Sequence, residues 1–271
     1  MIQRVYTTRK DNWRESVHRL LDTAWLPERL SDVSLIVIKP NLVNTLLPPV
    51  TTPVALVDVL VRYLQEKSPR CQIVIGEGTG SIEYDTFHCF KTLGYTRMAA
   101  DRKVELIDLN VEPLVKKSNP ECARWPELFL PKILDRAFLL SVPVLKVHSL
   151  AEVSLTMKNM MGCVPPSHYR QGNSWGKSAF HSGIDAAIFD LNRYRCPDFT
   201  LLDGTVGMAQ NHLWGKHCQP PVGRLAAAWN PVAIDSYGAS LLGKKWQDVG
   251  HLRLAHSVLG NAELLEIIVV D

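Results

Sequence analysis

Several short segments of this chain carry side chains suited to handling an anion. Lys39-Pro40-Asn41 sets a cation and a two-way hydrogen-bonding amide on either side of a proline, behind the apolar run Ser34–Lys39. Gly76-Glu77-Gly78-Thr79-Gly80 follows a second apolar run, Cys71–Ile75. Its glycines let the backbone approach a ligand as an anion-binding nest, which makes Gly78 a candidate contact. The stretch is neither a GxGxxG dinucleotide fingerprint nor a Walker A loop. Lys146 and His148 alternate at the end of a third run, and Lys158-Asn159 follow among Met157, Met160 and Met161. An imidazole titrates near neutral pH, so His148 suits an acid or base, while Lys39, Lys146 and Lys158 suit holding an anion or a cofactor. A lysine drawn into an apolar pocket is either a nucleophile or covalent anchor, or a clamp for a carboxylate or phosphate; a snorkelling lysine is neither.

Further candidates sit at other element ends. His181 stands just before Ser182, at an expected helix start, and is a candidate metal ligand together with His148 and His168. His212, His217 and Cys218 are weaker additions. Asp203 ends an apolar run, and Asp235 lies early in a helix behind Trp229-Asn230-Pro231. Each suits a general base, a hydroxyl acceptor or a helix cap. The ordinary alternatives are a surface turn for the lysines and a hydrogen-bonded surface imidazole for the histidines.

The elements that must position these residues alternate between strand and helix. Strands are expected at 34–39, 71–75, 104–109, 136–144, 199–202, 225–229 and 264–270. Helices are expected at 11–24, 54–64, 82–93, 151–161, 232–242 and 248–259, with one more opened by a Ser182/Asp185 capping box. Residues 112–131, 163–180 and 207–222 read as irregular connections. This alternation predicts an α/β fold with a mainly parallel sheet flanked by helices, as one domain over residues 1–271. The candidate segments then fall at the carboxyl ends of strands, where open parallel sheets bind ligands.

Composition narrows the function classes. A net charge of +3, with no basic block, argues against nucleic acid as a partner. No run of 18 apolar residues exists to span a membrane, and the start MIQRVYTTRKDNWRES lacks the apolar core of a secretory signal; the expectation is a cytoplasmic protein with a small anionic partner. The six cysteines have no CxxC spacing, which argues against an iron–sulfur cluster or a structural zinc site and for reduced thiols. Cofactor and oligomeric state stay open at this level.

Taken in order, KPNLVN with TTP, GEG, LKVH, LTMKNMMGCVP, LLDG, NPVAID and LLG resemble the family known as domain of unknown function 362, from about Lys39 to Gly243. The LK-x-H…KN-x-x-G-x-x-P stretch is the most specific part. Cluster-bearing members of that family carry extra cysteines absent here, and the Glu-Gly-x-Gly-Pro stretch usual after LLDG is replaced by Met208–Pro221. More distantly, the chain is similar to the catalytic domain of the nickel-dependent lactate racemase superfamily. That resemblance implies the same α/β architecture, with His148, Lys158 and His181 in the places of a histidine, a cofactor-holding lysine and a second histidine. The lysine-flanking glycines of the racemase are Thr156, Met157 and Asn159 here, and its early catalytic histidine corresponds to Gly80. The leading expectation is an enzyme acting on a small hydroxy or oxo acid, of racemase or epimerase type. A metal-dependent redox protein and a non-catalytic binding module are the alternatives.

Overall fold

The computed structural model describes residues 2–270. Twelve strands are present: β1 (Gln3–Arg9), β2 (Leu35–Pro40), β3 (Gln72–Glu77), β4 (Glu105–Asp108), β5 (Leu114–Ser118), β6 (Glu127–Pro131), β7 (Phe138–Val142), β8 (Val144–His148), β9 (Glu152–Ser154), β10 (Phe199–Met208), β11 (Arg224–Ala228) and β12 (Leu265–Val269). Ten of them form one sheet, running β12-β1-β11-β10-β7-β2-β3-β4, with β8 beside β10 and β9 beside β8. Pairing is parallel from β10 through β7, β2 and β3 to β4, and also between β1 and β12. It is antiparallel where β11 meets β1 and β10, and where β9 meets β8. The α/β expectation with a mostly parallel sheet holds.

Strand β2 shows why both faces must be covered. Every residue from Leu35 to Pro40 is buried. Val37 joins a core on one face, built with the helices Ile184–Tyr194, Pro231–Leu241 and Gly250–Ala255. Ile36 and Ile38 join the other, with the helices Trp13–Thr23, Val54–Lys67 and Thr86–Thr92. A strand buried on both faces reads as a continuous apolar run, as this one does. By the same alternation Lys39 falls on the Val37 face, under the segment Thr156–Cys163. From β2 the sheet continues to β3 on one side and to β7 on the other. The crevice where strand order reverses is where such sheets bind ligands, and it opens at Lys39–Asn41.

Several expected elements are corrected. Residues 151–161 are not one helix: β9 runs to Ser154, a single turn covers Thr156–Asn159, and Met160–Cys163 is a 3-10 turn. Residues 153–157 are all buried, without the one-sided pattern of an amphipathic helix, and only Met157, Met160 and Met161 follow a helical spacing. Ser182 caps no helix. The helix starts at Ile184 behind Gly183 in the left-handed region, and Asp185 binds the backbone and ring of His251. Residues 112–131, expected to be irregular, form the β5–β6 hairpin, with Pro113, Pro120 and Pro126 outside its strands and Pro131 at the end of β6. The helix expected at 82–93 covers Thr86–Thr92, and that expected at 248–259 shrinks to Gly250–Ala255. β1 was not anticipated, and β10 continues six residues past Leu202, to Met208. No helix among the described residues is long and apolar enough to cross a membrane.

Candidate functional site

At the carboxyl ends of β2, β3 and β8 a cleft of about 430 Å3, its open mouth included, is lined by Lys39, Asn41, Glu77, Gly78, Lys146, Lys158, Asn159, Trp175, Lys177 and His212, among others. Four lysines thus face one space, with a single carboxylate in its lining.

That carboxylate is consumed by the scaffold. Glu77 Oε1 accepts from Lys39 Nζ at 2.7 Å and from the Gly78 amide at 2.8 Å, while Oε2 accepts from the Leu42 amide at 2.8 Å. Asn159 ties the same corner together. Its Oδ1 accepts from Lys39 Nζ and Asn41 Nδ2, each at 3.1 Å, and its Nδ2 donates to the Ser141 hydroxyl at 3.0 Å and to the Lys39 carbonyl at 3.3 Å. All four hydrogen-bonding positions of the amide are therefore used. The fit leaves no room for a side chain at Gly162, where a Cβ would run into Glu77 Oε1 and Lys39 Nζ.

Counting donors separates the lysines. An ammonium has three N–H groups. Lys39 spends all three, on Glu77, Asn159 and the Pro40 carbonyl. Lys146 spends two, on Asn41 Oδ1 at 2.9 Å and the Val50 carbonyl at 2.8 Å. Lys177 spends two, on the carbonyls of Gly78 at 2.7 Å and Gly162 at 2.8 Å. Lys158, half-buried, has no hydrogen-bond partner among the described residues. Burial pushes Lys146 and Lys177 down to about 7, the Lys158 charge adding to the effect on Lys146. Burial alone pushes Lys158 down to about 8.

His148 closes the hairpin between β8 and β9. Its Nδ1 accepts from the amides of Leu150 at 3.1 Å and Ala151 at 3.2 Å. Two donors aimed at Nδ1 fix the tautomer with the proton on Nε2, and burial, then the Lys158 charge, drive the imidazole far below its ordinary range. The ring stacks on His212 at 4.0 Å, and His212, itself pushed down to about 4 by burial, lines the cleft. His148 is not among the residues that line the cleft, and in place of the expected acid/base it is a neutral Nε2–H imidazole stacked on His212. To take a proton at Nε2 the ring would have to turn an N–H towards two backbone N–H groups.

Other expected residues stand elsewhere. Asp235 lies under the site: its two oxygens accept the amides of Thr156 at 2.8 Å and Met157 at 2.9 Å, so it caps the turn that carries Lys158 and Asn159. Burial pushes it up to about 7 against those hydrogen bonds. Asp203 does not line the cleft; its carboxylate turns onto Thr205 of its own strand, at 2.7 and 2.9 Å. The GEGTG turn is no anion nest. The amides of Gly78, Thr79 and Ser81 are already bonded to Glu77, Thr86 and Thr79 side chains. His181 lies flat against Trp175, with ring centroids 5.1 Å apart, and burial lowers its pKa. His168 packs on Phe129, at 4.0 Å between ring centroids.

Among the described residues no three His, Cys, Asp or Glu side chains converge as a metal site would require. His148, His168 and His181 form no such cluster, and no chemical step is assigned to a metal.

Sequence reasoning passed over three residues of this site. Glu77 was visible only as the middle of a glycine stretch, Trp175 and Lys177 as parts of a polar loop. A signal existed for Trp175: a Cβ on Gly80 would enter its indole ring, so one of the glycines after β3 serves that contact.

Comparison with known proteins identifies the family and the fold. Residues 36–240 match the family described as domain of unknown function (DUF362). Among solved structures the chain is similar to that of the lactate racemase apoprotein from Thermoanaerobacterium thermosaccharolyticum, with a TM-score of 0.53 and 14% sequence identity. The likeness covers 85% of this chain and 55% of the racemase, so the chain spans about half the length of that protein. No curated protein matches the sequence.

Proposed function

We propose, given that the chain belongs to the DUF362 family, that its cleft is an enzyme site for a small carboxylate-bearing substrate of the hydroxy or oxo acid class. The observation that carries this is the donor arithmetic. Lys146 and Lys177 each keep one N–H after bonding their neighbours, Lys158 keeps all of its own, and the one carboxylate in the lining is already engaged. An anion supplies what these groups lack. A carboxylate takes the spare N–H of Lys146 and of Lys177, as charge-assisted hydrogen bonds. Lys158 and His212 then face the rest of the molecule, with His148 stacked on the His212 ring. Lys39 lines the cleft yet holds the scaffold and not the ligand.

Isothermal titration and thermal shift with lactate, pyruvate and malonate, against their uncharged amides, test the reading. The acids should bind and the amides should not. Lys146→Met and Lys177→Met should each weaken binding at least about tenfold, the equivalent of roughly 1.4 kcal/mol. If no small mono- or dicarboxylate binds or stabilises the wild-type protein, the reading is wrong.

A further inference from the structure

Of the four lysines in the cleft, three have fixed partners among the described residues and one does not, and the difference decides which of them is free for covalent chemistry. Lys39, Lys146 and Lys177 are held by carbonyl, amide or carboxylate oxygens. Lys158 projects from a turn whose amides are gripped by Asp235 and whose neighbours Met157, Asn159 and Met160 are buried. Its backbone is thus fixed while its amine is unengaged. No carboxylate stands close enough to hold it as an ammonium, because Glu77, the only one in the lining, is occupied by Lys39 and two amides. A clamp role alone does not explain this arrangement, since the bonded lysines already offer N–H groups to an anion.

We infer that Lys158 is a nucleophile that forms an imine with the carbonyl carbon of a small 2-oxo acid, whose carboxylate sits on the spare N–H groups of Lys146 and Lys177. This rests on the carboxylate reading above. In the step, the lone pair of the neutral amine attacks the carbonyl carbon, and the carbonyl π pair moves to oxygen, which takes a proton to give a carbinolamine. The nitrogen loses a proton, its pair forms the C=N bond, and the hydroxyl leaves with a further proton as water. One carbonyl oxygen departs as one water, and nothing is oxidised or reduced. The cleft ammonium groups are the donors available to the oxygen. The lowered pKa of Lys158, about 8, leaves part of the amine neutral near physiological pH, in support of the geometry.

The test uses pyruvate with sodium cyanoborohydride, the latter supplying the hydride that traps an imine. The intact mass of wild-type protein should rise by one reduced pyruvate unit, peptide mapping should place it on Lys158, and lactate, which has no keto group, should protect. The labelling rate should rise with pH through about 8, following the neutral amine. Lys158→Arg keeps the charge and lacks the nucleophile: it should bind lactate within a few fold of wild type and take up no label. If lactate stabilises wild-type protein but pyruvate leaves no adduct, or labels surface lysines without lactate protection, the imine is overturned and the carboxylate reading stands. If neither acid stabilises the protein and no adduct forms, the carboxylate reading fails, and the imine with it.

Discussion

The two walls of the cleft are built on opposite plans. On the β2–β3 side, Lys39, Glu77, Asn41 and Asn159 satisfy one another, and Lys39 and Glu77 are fully buried or nearly so. On the other side, Lys158 has no partner among the described residues, His148 keeps an unused Nε2–H, and the His212 Nδ1 is buried without a hydrogen bond. A buried polar network with every position filled rigidifies; unfilled positions await something from outside. The lesson is that the residues lining a site divide into those that build it and those that use it, and hydrogen-bond capacity separates them better than position does.

The contrast can be broken at its strongest point. Glu77→Gln leaves the Lys39 ammonium buried without its counter-ion, and removing one partner of a buried pair costs about 3–5 kcal/mol. Urea or thermal unfolding should show a loss of that order. Asn159→Ala strips four hydrogen bonds from the same wall, but their partners keep other contacts, so the loss should be smaller, about 2–3 kcal/mol by the same measurement. Across the cleft, Lys158→Met should cost no stability, because it removes a charge that burial disfavours, while weakening lactate binding. A large loss of stability there, or a negligible one at Glu77, would erase the distinction between the walls.

The pH dependence sharpens the comparison. Lys146 and Lys177 sit at about 7 and Lys158 at about 8 in the native state, whereas an unfolded lysine titrates near about 10.4. Between these limits the unfolded chain holds more protons, so these groups make the ligand-free protein more stable as pH rises from about 7 to about 10. Asp235 works in the opposite sense. Raised to about 7, it is protonated in the native state where the unfolded side chain is not, so its contribution falls as pH rises from about 4 to about 7. Carboxylate binding should weaken over the upper window in which the free protein gains stability. A neutral Lys146 or Lys177 has only two N–H groups, both already spent on its neighbours, and turns a lone pair to the ligand. Thermal unfolding and titration with lactate across that range measure both slopes, and Lys177→Met should flatten both.

Much of this was legible in the sequence, and the failures have physical causes. Lys39, Asn41, Lys146, Lys158 and Asn159 could be placed together because apolar runs ending in polar residues mark the carboxyl ends of buried strands. Lys177 could not, because nothing local distinguishes a lysine that crosses a cleft to bond Gly78 and Gly162 from one in solvent. Glu77 was hidden for a related reason, since its partners Lys39 and Leu42 lie on a different strand end. Asp203 and Asp235 were expected at the ligand because both follow strands; the backbone amides that claim Asp235 become visible only once the turn at Thr156 is folded. The tautomer of His148 likewise depends on the three-residue turn between β8 and β9, which a helical reading of 151–161 leaves out.

The pairing of Gly80 with Trp175 bears on how such a pocket changes size. The indole occupies the space that a side chain at residue 80 would fill, and its far face leans on His181. The two positions are therefore coupled in volume. Anything larger than glycine at 80 requires something smaller at 175, while a smaller residue at 175 alone enlarges the cleft without touching a lysine. Cleft size and charge recognition can thus drift independently, through different residues of one cavity.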